Sequence, residues 1–291
     1  MLRAMLLWPV LVAVAFWSPL LASRIRASQF AEAWLPPLGL VAALWAAYWG
    51  IVGTPFEPFA MDAKARWPTL LLVGLVASGL PTDGPPAARY LLLGVLSVAS
   101  MRFFWGASIA MHWSLWQAAL YVTGLGIVLF ILILSADRTL TILRPKAAAA
   151  YLVIVAGLPA PLMLFGDSLV LSQLHGAIGL VTTVGAFAVW TGTLHSVARA
   201  RYVVIVSAFS LWSLALLFGN VEGIAFFFLV AGLPLSALIG HRCKKYSPGI
   251  RELILLGTLV VTVGLAIVLG GLRYHEGAMN AAGDDMSYGY Q

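Results

Sequence analysis

His175 is the residue of this chain whose type and setting carry the most chemistry. It follows Ser172 and Gln173 about two turns inside an apolar stretch. His175, Gly179, Thr182 and Ala186 are spaced at four, three and four, so a helix places them on one face. That face is small and polar, which predicts that it turns toward other helices or a cavity rather than lipid. An ionisable side chain at such depth is a functional candidate by default. A neutral imidazole relays a proton or binds a polar solute, and a structural histidine bonded to a neighbouring helix is the plainer alternative.

Two carboxylates flank this stretch. Asp167 and Glu222 stand at the starts of the apolar runs 168–190 and 221–240, where negative charge complements a helix dipole. They also suit the mouth of a polar pathway leading to His175, which Asn220 and His112 would extend. A third feature is proline. Pro159 and Pro161 fall near the middle of one apolar run, and Gly232 and Pro234 near the middle of another. A proline within a helix removes a backbone donor and bends or breaks the helix. Broken helices expose carbonyls at membrane depth, where transporters bind solutes and ions. Gln173 and Thr182 complete the candidate substrate-binding set of His175, Gln173, Thr182, Asp167 and Glu222.

Other chemistries find less support. The five histidines do not pair at one depth as haem ligands would, and no His-x-x-x-His or Cys-x-x-Cys spacing marks a metal site. No cofactor and no catalytic residue is expected. No Gly-x-Ser-x-Gly and no pair of buried aspartates specifies intramembrane hydrolysis. An enzyme acting on lipid would need Asp167, His175 or Glu222 within hydrogen-bond reach of one another. The single cysteine, Cys243, forms no internal disulfide and reads as an incidental loop residue beside Arg242, Lys244 and Lys245.

The elements that position these residues follow from composition. Of the 291 residues, 62% are hydrophobic and only 10% charged. A soluble domain carries about 25% charged residues. The apolar runs are long enough to cross a bilayer, which takes about 20 residues as a helix. They fall at 4–22, 34–52, 67–82, 89–108, 112–135, 148–166, 168–190, 202–219, 221–240 and 251–272. The chain is therefore expected to be an all-α, polytopic bundle of about ten spans, nine being the alternative, with 67–82 the weakest. Residues 1–272 form a single transmembrane domain, and 273–291 form a polar tail expected to be disordered on the outer side. The amino-terminal run reads as a first span rather than a cleaved signal.

The net charge of +6 does not signal nucleic-acid binding, because the basic residues sit in short loops between apolar runs. With ten spans, one side holds Arg24, Arg26, Arg89, Arg138, Arg144, Lys146, Arg199, Arg201, Arg242, Lys244, Lys245 and Arg251. The other holds Arg3, Lys64, Arg66, Arg102 and Arg273. Positive residues stay in the cytoplasm, so both termini are expected outside, and Arg102 is expected to snorkel to an interface. Short loops and an arginine bias suit a bacterial inner membrane.

Packing should rest on small residues. Gly257, Gly264 and Gly271 form one stripe in the last span, and Gly39, Ala43, Ala46 and Gly50 form one in the second. Gly-Leu-Pro recurs at 79–81, 157–159 and 232–234, hinting at a repeated unit. The outer tryptophans, with Trp105, Trp113 and Trp116 close together beside Phe103 and Phe104, form an interfacial belt or a patch for a membrane-protein partner. The reading that uses most of these features is a small-solute transporter or permease. Its competitors are a structural or assembly subunit of a larger membrane complex, docking by the tryptophan patch or the tail, and a lipid-acting enzyme.

Overall fold

The computed structural model describes residues 29–53, 63–80, 85–110, 113–166, 168–192, 194, 197–219 and 221–287. The first expected span, 4–22, lies outside the described residues. Among those described, the regular elements are all helical. They are α1 (Gln29–Val52), α2 (Ala63–Ser78), α3 (Pro86–Ala110), α4 (Leu115–Leu140), α5 (Pro145–Gly157), α6 (Ala160–Phe165), α7 (Leu169–Trp190), α8 (Arg201–Phe218), α9 (Gly223–Arg242) and α10 (Pro248–Ser287). A 3₁₀ turn, Ala198–Ala200, leads into α8, and another, Cys243–Lys245, closes α9.

Eight of the segments are long and apolar enough to cross a membrane, α5 and α6 counting together as Pro145–Phe165. The protein is an integral-membrane helical bundle. The expected run at 67–82 is the exception: α2 begins at Ala63 and has 16 residues. That is about 24 Å of helix, shorter than the roughly 30 Å of hydrocarbon. It is still core, since Trp67, Leu70 and Leu71 are fully buried.

α8 is the axis of the bundle. Of its span, 78% is buried, against 28% for α3 and α10. Its serine stripe explains how a polar face tolerates that position. Ser207 donates to the Val203 and Val204 carbonyls, Ser210 to Ser207, and Ser213 to Ser210. Each hydroxyl is satisfied within its own helix, so no partner helix is needed. The Trp67 indole donates to the Ser207 carbonyl at 3.3 Å, tying α2 to α8.

In lipid, helices associate by close packing and hydrogen bonds, because burying apolar surface from apolar solvent gains little. Glycines at four helix pairs permit close approach. A methyl on Gly74 of α2 would stand 2.7 Å from Val203 Cα of α8, and one on Gly126 of α4 2.7 Å from Val98 Cα of α3. A methyl on Gly179 of α7 would meet Gly157 Cα of α5 at 2.5 Å, and one on Gly232 of α9 would meet Thr262 Oγ1 of α10 at 2.5 Å.

These contacts revise several expectations. Gly257 and Gly264 face open space, so two members of the α10 stripe make no packed crossing among the described residues. A seven-residue period fixes a common face but not what covers it. On α1, Gly39 and Ala43 are buried while Gly50 is exposed, so only the first half of that stripe packs. The Gly-Leu-Pro tripeptides do not share one structure. At 157–159 the helix stops, whereas at 232–234 α9 runs on unbroken through Pro234. Gly232 and Pro234 therefore mark no break, because α10 packs tightly along that stretch. α10 continues through Ser287, since a helix already nucleated extends cheaply through residues such as Ala and Met.

The helices alternate in direction. Ser78 at the end of α2 donates to the Arg199 carbonyl, Arg89 of α3 and Arg201 of α8 both donate to the Tyr202 hydroxyl, and Arg144 meets Glu252 of α10. Arg89, Arg144, Arg199, Arg201 and Arg251 thus gather at one end, with Arg138 and Arg242. Arg66 and Arg273 occupy the other, where Arg66 Nη1 donates to the Phe103 carbonyl at 2.9 Å and Arg273 meets Glu222.

Candidate functional site

His175 is fully buried where α5, α7 and α8 meet. The Trp212 indole N–H of α8 donates to its Nε2 at 2.7 Å, with the two rings nearly parallel at 11°. Indole nitrogen only donates, so Nε2 carries no proton and the imidazole is neutral with its proton on Nδ1. Nδ1 has no hydrogen-bond partner within the described residues. The rest of the expected face is packed: Gly179 and Thr182 are buried, and Ala186 is fully so. The Thr182 hydroxyl donates back to the Ile178 carbonyl at 2.7 Å. The face turns inward onto α5 at the Gly157–Gly179 crossing. Gln173, two residues before His175, is half-buried on the other side of α7.

The interruption between α5 and α6 sits beside this face. Leu158 and Pro159 keep right-handed helical angles, but the backbone pattern lapses and restarts at Ala160. Pro159 and Pro161 cannot donate, so the Val155 and Gly157 carbonyls lose their usual partners four residues on. Ser172 of α7 donates to the Ala160 carbonyl at 3.0 Å, stitching the restart to the helix that carries His175. α6 is then held by α10, where Gly271 lets Phe165 approach and the Phe165 and Tyr274 rings lie 5.9 Å apart.

Of the two flanking carboxylates, the structure describes Glu222, which is drawn to Arg273 rather than to His175. Asp167 lies outside the described residues, as do His112 and Asn220. Glu222 is the N-cap residue of α9 but makes no side-chain cap bond. It pairs with Arg273 Nε at 2.7 Å instead. A long guanidinium from a neighbouring helix offers a full charge where the helix end offers a partial one. The described geometry therefore shows no hydrogen bond between His175 and Glu222, which removes the arrangement that a lipid-acting enzyme would need from this pair.

A second polar centre was not legible as a site. Asp137, in the last turn of α4, accepts from Arg89 Nη2 of α3 at 3.3 Å, from Arg201 Nε of α8, and from the Tyr202 hydroxyl at 2.9 Å. Tyr202 in turn accepts from Arg201 Nη2 at 3.0 Å and from Arg89 Nη2. Arg201 Nη1 donates to the Ala198 carbonyl at 2.7 Å, and its guanidinium lies 4.4 Å from the Tyr202 ring centre. One carboxylate thus lies between two part-buried guanidiniums, and a tyrosine closes the ring across three helices. Burying one charge alone is costly, so the cluster stands or falls together. A signal existed: Asp137 is one carboxylate within a basic end, so its partners had to be cations.

A third contact joins α10 to the loop before α5. Glu252 takes Arg144 Nε at 2.8 Å, Nη2 at 2.5 Å and the Arg144 backbone N–H at 3.1 Å. Those bonds hold the Arg144 guanidinium above its usual range. Near the same end, Tyr151 of α5 is fully buried beside Thr139 of α4 and Ser236 of α9.

The tryptophans divide. Phe104 and Trp105 are core residues, with Trp105 stacked on Phe218 at 5.3 Å, whereas Trp116 and Trp49 are exposed. Sequence proximity therefore did not make one patch, because helix geometry sends neighbours to opposite faces. Among the described residues no group of three or more His, Cys, Asp or Glu side chains comes together as a metal site. Comparison with protein-family models, with curated proteins and with solved structures gives no match.

Proposed function

We propose that the protein is a small-solute transporter of the bacterial cytoplasmic membrane, with its solute site on the His175 face. The observation that carries this reading is the helix interrupted at Pro159 and Pro161 packed against a fully buried histidine. Freed carbonyls and a neutral imidazole at one depth supply acceptors and, through Nδ1, a donor for a polar solute. In the arrangement described the site is closed. A solute donor or a proton at Nε2 has to displace the Trp212 indole, so the His175–Trp212 bond acts as its latch. Thr182 lies on the same face, and Gln173 stands near the same depth on the other side of α7. Asp167 and Glu222 belong to the approach from the end opposite the basic residues.

The basic end is read as cytoplasmic, which directs the approach from outside. The Asp137 cluster then closes the cytoplasmic end by clamping α3, α4 and α8. The Gly157–Gly179 crossing has no side chains between backbones, so α5 shifts against α7 without repacking large groups.

The test is uptake by reconstituted proteoliposomes across panels of amino acids, sugars, nucleosides and organic anions. His175→Ala abolishes the flux seen with the parent protein while the folded yield is unchanged. Undiminished flux in that variant rejects the site, and no flux by the parent in any class counts against transport.

One observation favours a second reading, an assembly subunit. α10 has 40 residues, about 60 Å of helix, roughly twice the hydrocarbon thickness. It therefore projects at the end opposite the basic residues, where Trp116 is 84% exposed. Truncation after Glu276 loosens a complex under this reading and leaves solute flux untouched under the first. Native mass spectrometry of gently extracted protein separates the two.

A further inference from the structure

A cleft of about 770 Å³ opens between α4 and α9 at the basic end. Its rim carries Arg138, His241, Arg242 and Lys244, and no carboxylate lines it. All four rim residues are exposed. None pairs with a carboxylate among the described residues, in contrast to Arg89, Arg201 and Arg144 at the same end. The local carboxylate, Asp137, does not line the cleft and is occupied by its own two arginines.

Below the rim the walls are apolar. Ile131 lies two turns from Arg138 along α4, and Leu238 and Pro234 lie one and two turns from Arg242 along α9. The cleft therefore reaches about 10 Å from the charged rim into the span. Ile131 is 43% and Leu238 64% exposed, so these walls are open to the surrounding hydrocarbon. Gly240, behind the α9 wall, packs on Leu255 and Ile142, which fixes that wall against α10.

We infer that this cleft binds an anionic phospholipid, its phosphate on Arg138, Arg242 and Lys244 and an acyl chain along Ile131, Pro234 and Leu238. Charge selects the headgroup: cations unneutralised by protein attract a negative lipid surface, and basic pockets between helices suit such headgroups. The apolar walls favour lipid over free phosphate, which would leave them uncovered. This inference does not depend on the transport reading, since either a carrier or an assembly subunit would hold the lipid.

The experiment is native mass spectrometry of the detergent-purified full chain, titrated with phosphatidylglycerol or phosphatidylcholine of equal chain length. The parent protein retains phosphatidylglycerol adducts in preference to phosphatidylcholine. Each neutralised rim residue lowers phosphatidylglycerol affinity about fivefold, the equivalent of roughly 1 kcal/mol per basic residue at a charged membrane surface. The Arg138→Gln, Arg242→Gln, Lys244→Gln triple variant therefore loses about a hundredfold. Arg102→Gln, an exposed cation on α3 toward the other end, leaves affinity unchanged. Leu238→Ser weakens the lipid and has no effect on inorganic phosphate. Equal adducts with both lipids, equal losses from Arg102→Gln and the triple variant, or displacement by excess inorganic phosphate would each overturn the assignment. A triple variant that fails to fold is replaced by the three single variants, whose losses should each approach fivefold.

Discussion

The two buried polar centres solve the same problem in different ways. Around His175, about two turns inside α7, the polar groups are neutral: one indole–imidazole bond, a threonine bonded to its own helix, and serines that do the same along α8. Around Asp137, one turn from the end of α4, full charges from two other helices, α3 and α8, converge on one carboxylate. The difference follows depth. Deep in hydrocarbon a charge has no water to lean on, so neutral donor–acceptor pairs are the affordable choice. Near the interface, arginines reach water with part of the guanidinium and neutralise with the rest. The comparison assigns the charged centre to holding helices together and leaves the neutral one free to change partners.

The sharpest way to break this comparison is Asp137→Ala. It leaves two part-buried guanidiniums without their shared carboxylate and should destabilise the detergent-solubilised protein by about 3 kcal/mol, read from reversible unfolding. Loss no greater than that of a surface mutation would make the cluster incidental. Next is Gly179→Leu, which drives a side chain into the Gly157 backbone. Overpacking of that kind costs about 1–3 kcal/mol, and here the obstacle is main chain, so the upper part of the range is expected. Gly257→Ala is its control and should cost nothing, since that position meets open space. The smallest effect belongs to the neutral pair. A cycle of His175→Ala, Trp212→Phe and the double variant should give a coupling of about 1 kcal/mol. A coupling near that of the Asp137 cluster would erase the distinction between the centres.

Much of the fold is legible in the sequence because hydrocarbon leaves so few options. An apolar run of about 20 residues has to be a helix, and the alternation of basic loops places the ends. What periodicity cannot supply is the partner of each face. It put His175, Gly179, Thr182 and Ala186 on one stripe but did not reveal that Gly157 would cover it or that Trp212 would hold the imidazole. It grouped Gly257 with Gly264, yet no described residue packs on either. It treated two Gly-Leu-Pro segments alike, although one ends α5 and the other lies within α9. The break at Leu158 coincides with Pro159 and Pro161, whereas α9 continues through Pro234 and is braced by Thr262 and Leu259. Asp137 escaped notice because its significance depends on residues 48 and 64 positions away in the chain.

The central claim is that the His175 face opens to a solute. The most direct measurement is thiol accessibility at Thr182, a buried member of that face. In a Cys243→Ala background, Thr182→Cys supplies a lone thiol in the described span. Proteoliposomes are exposed to a small, membrane-impermeant thiol reagent, with labelling followed over time and repeated in the presence of candidate solutes. The account predicts slow but complete labelling that a transported solute suppresses and Trp212→Phe accelerates. A thiol that stays unlabelled until the protein is denatured, with or without Trp212, would contradict it and leave His175 as a fixed packing residue.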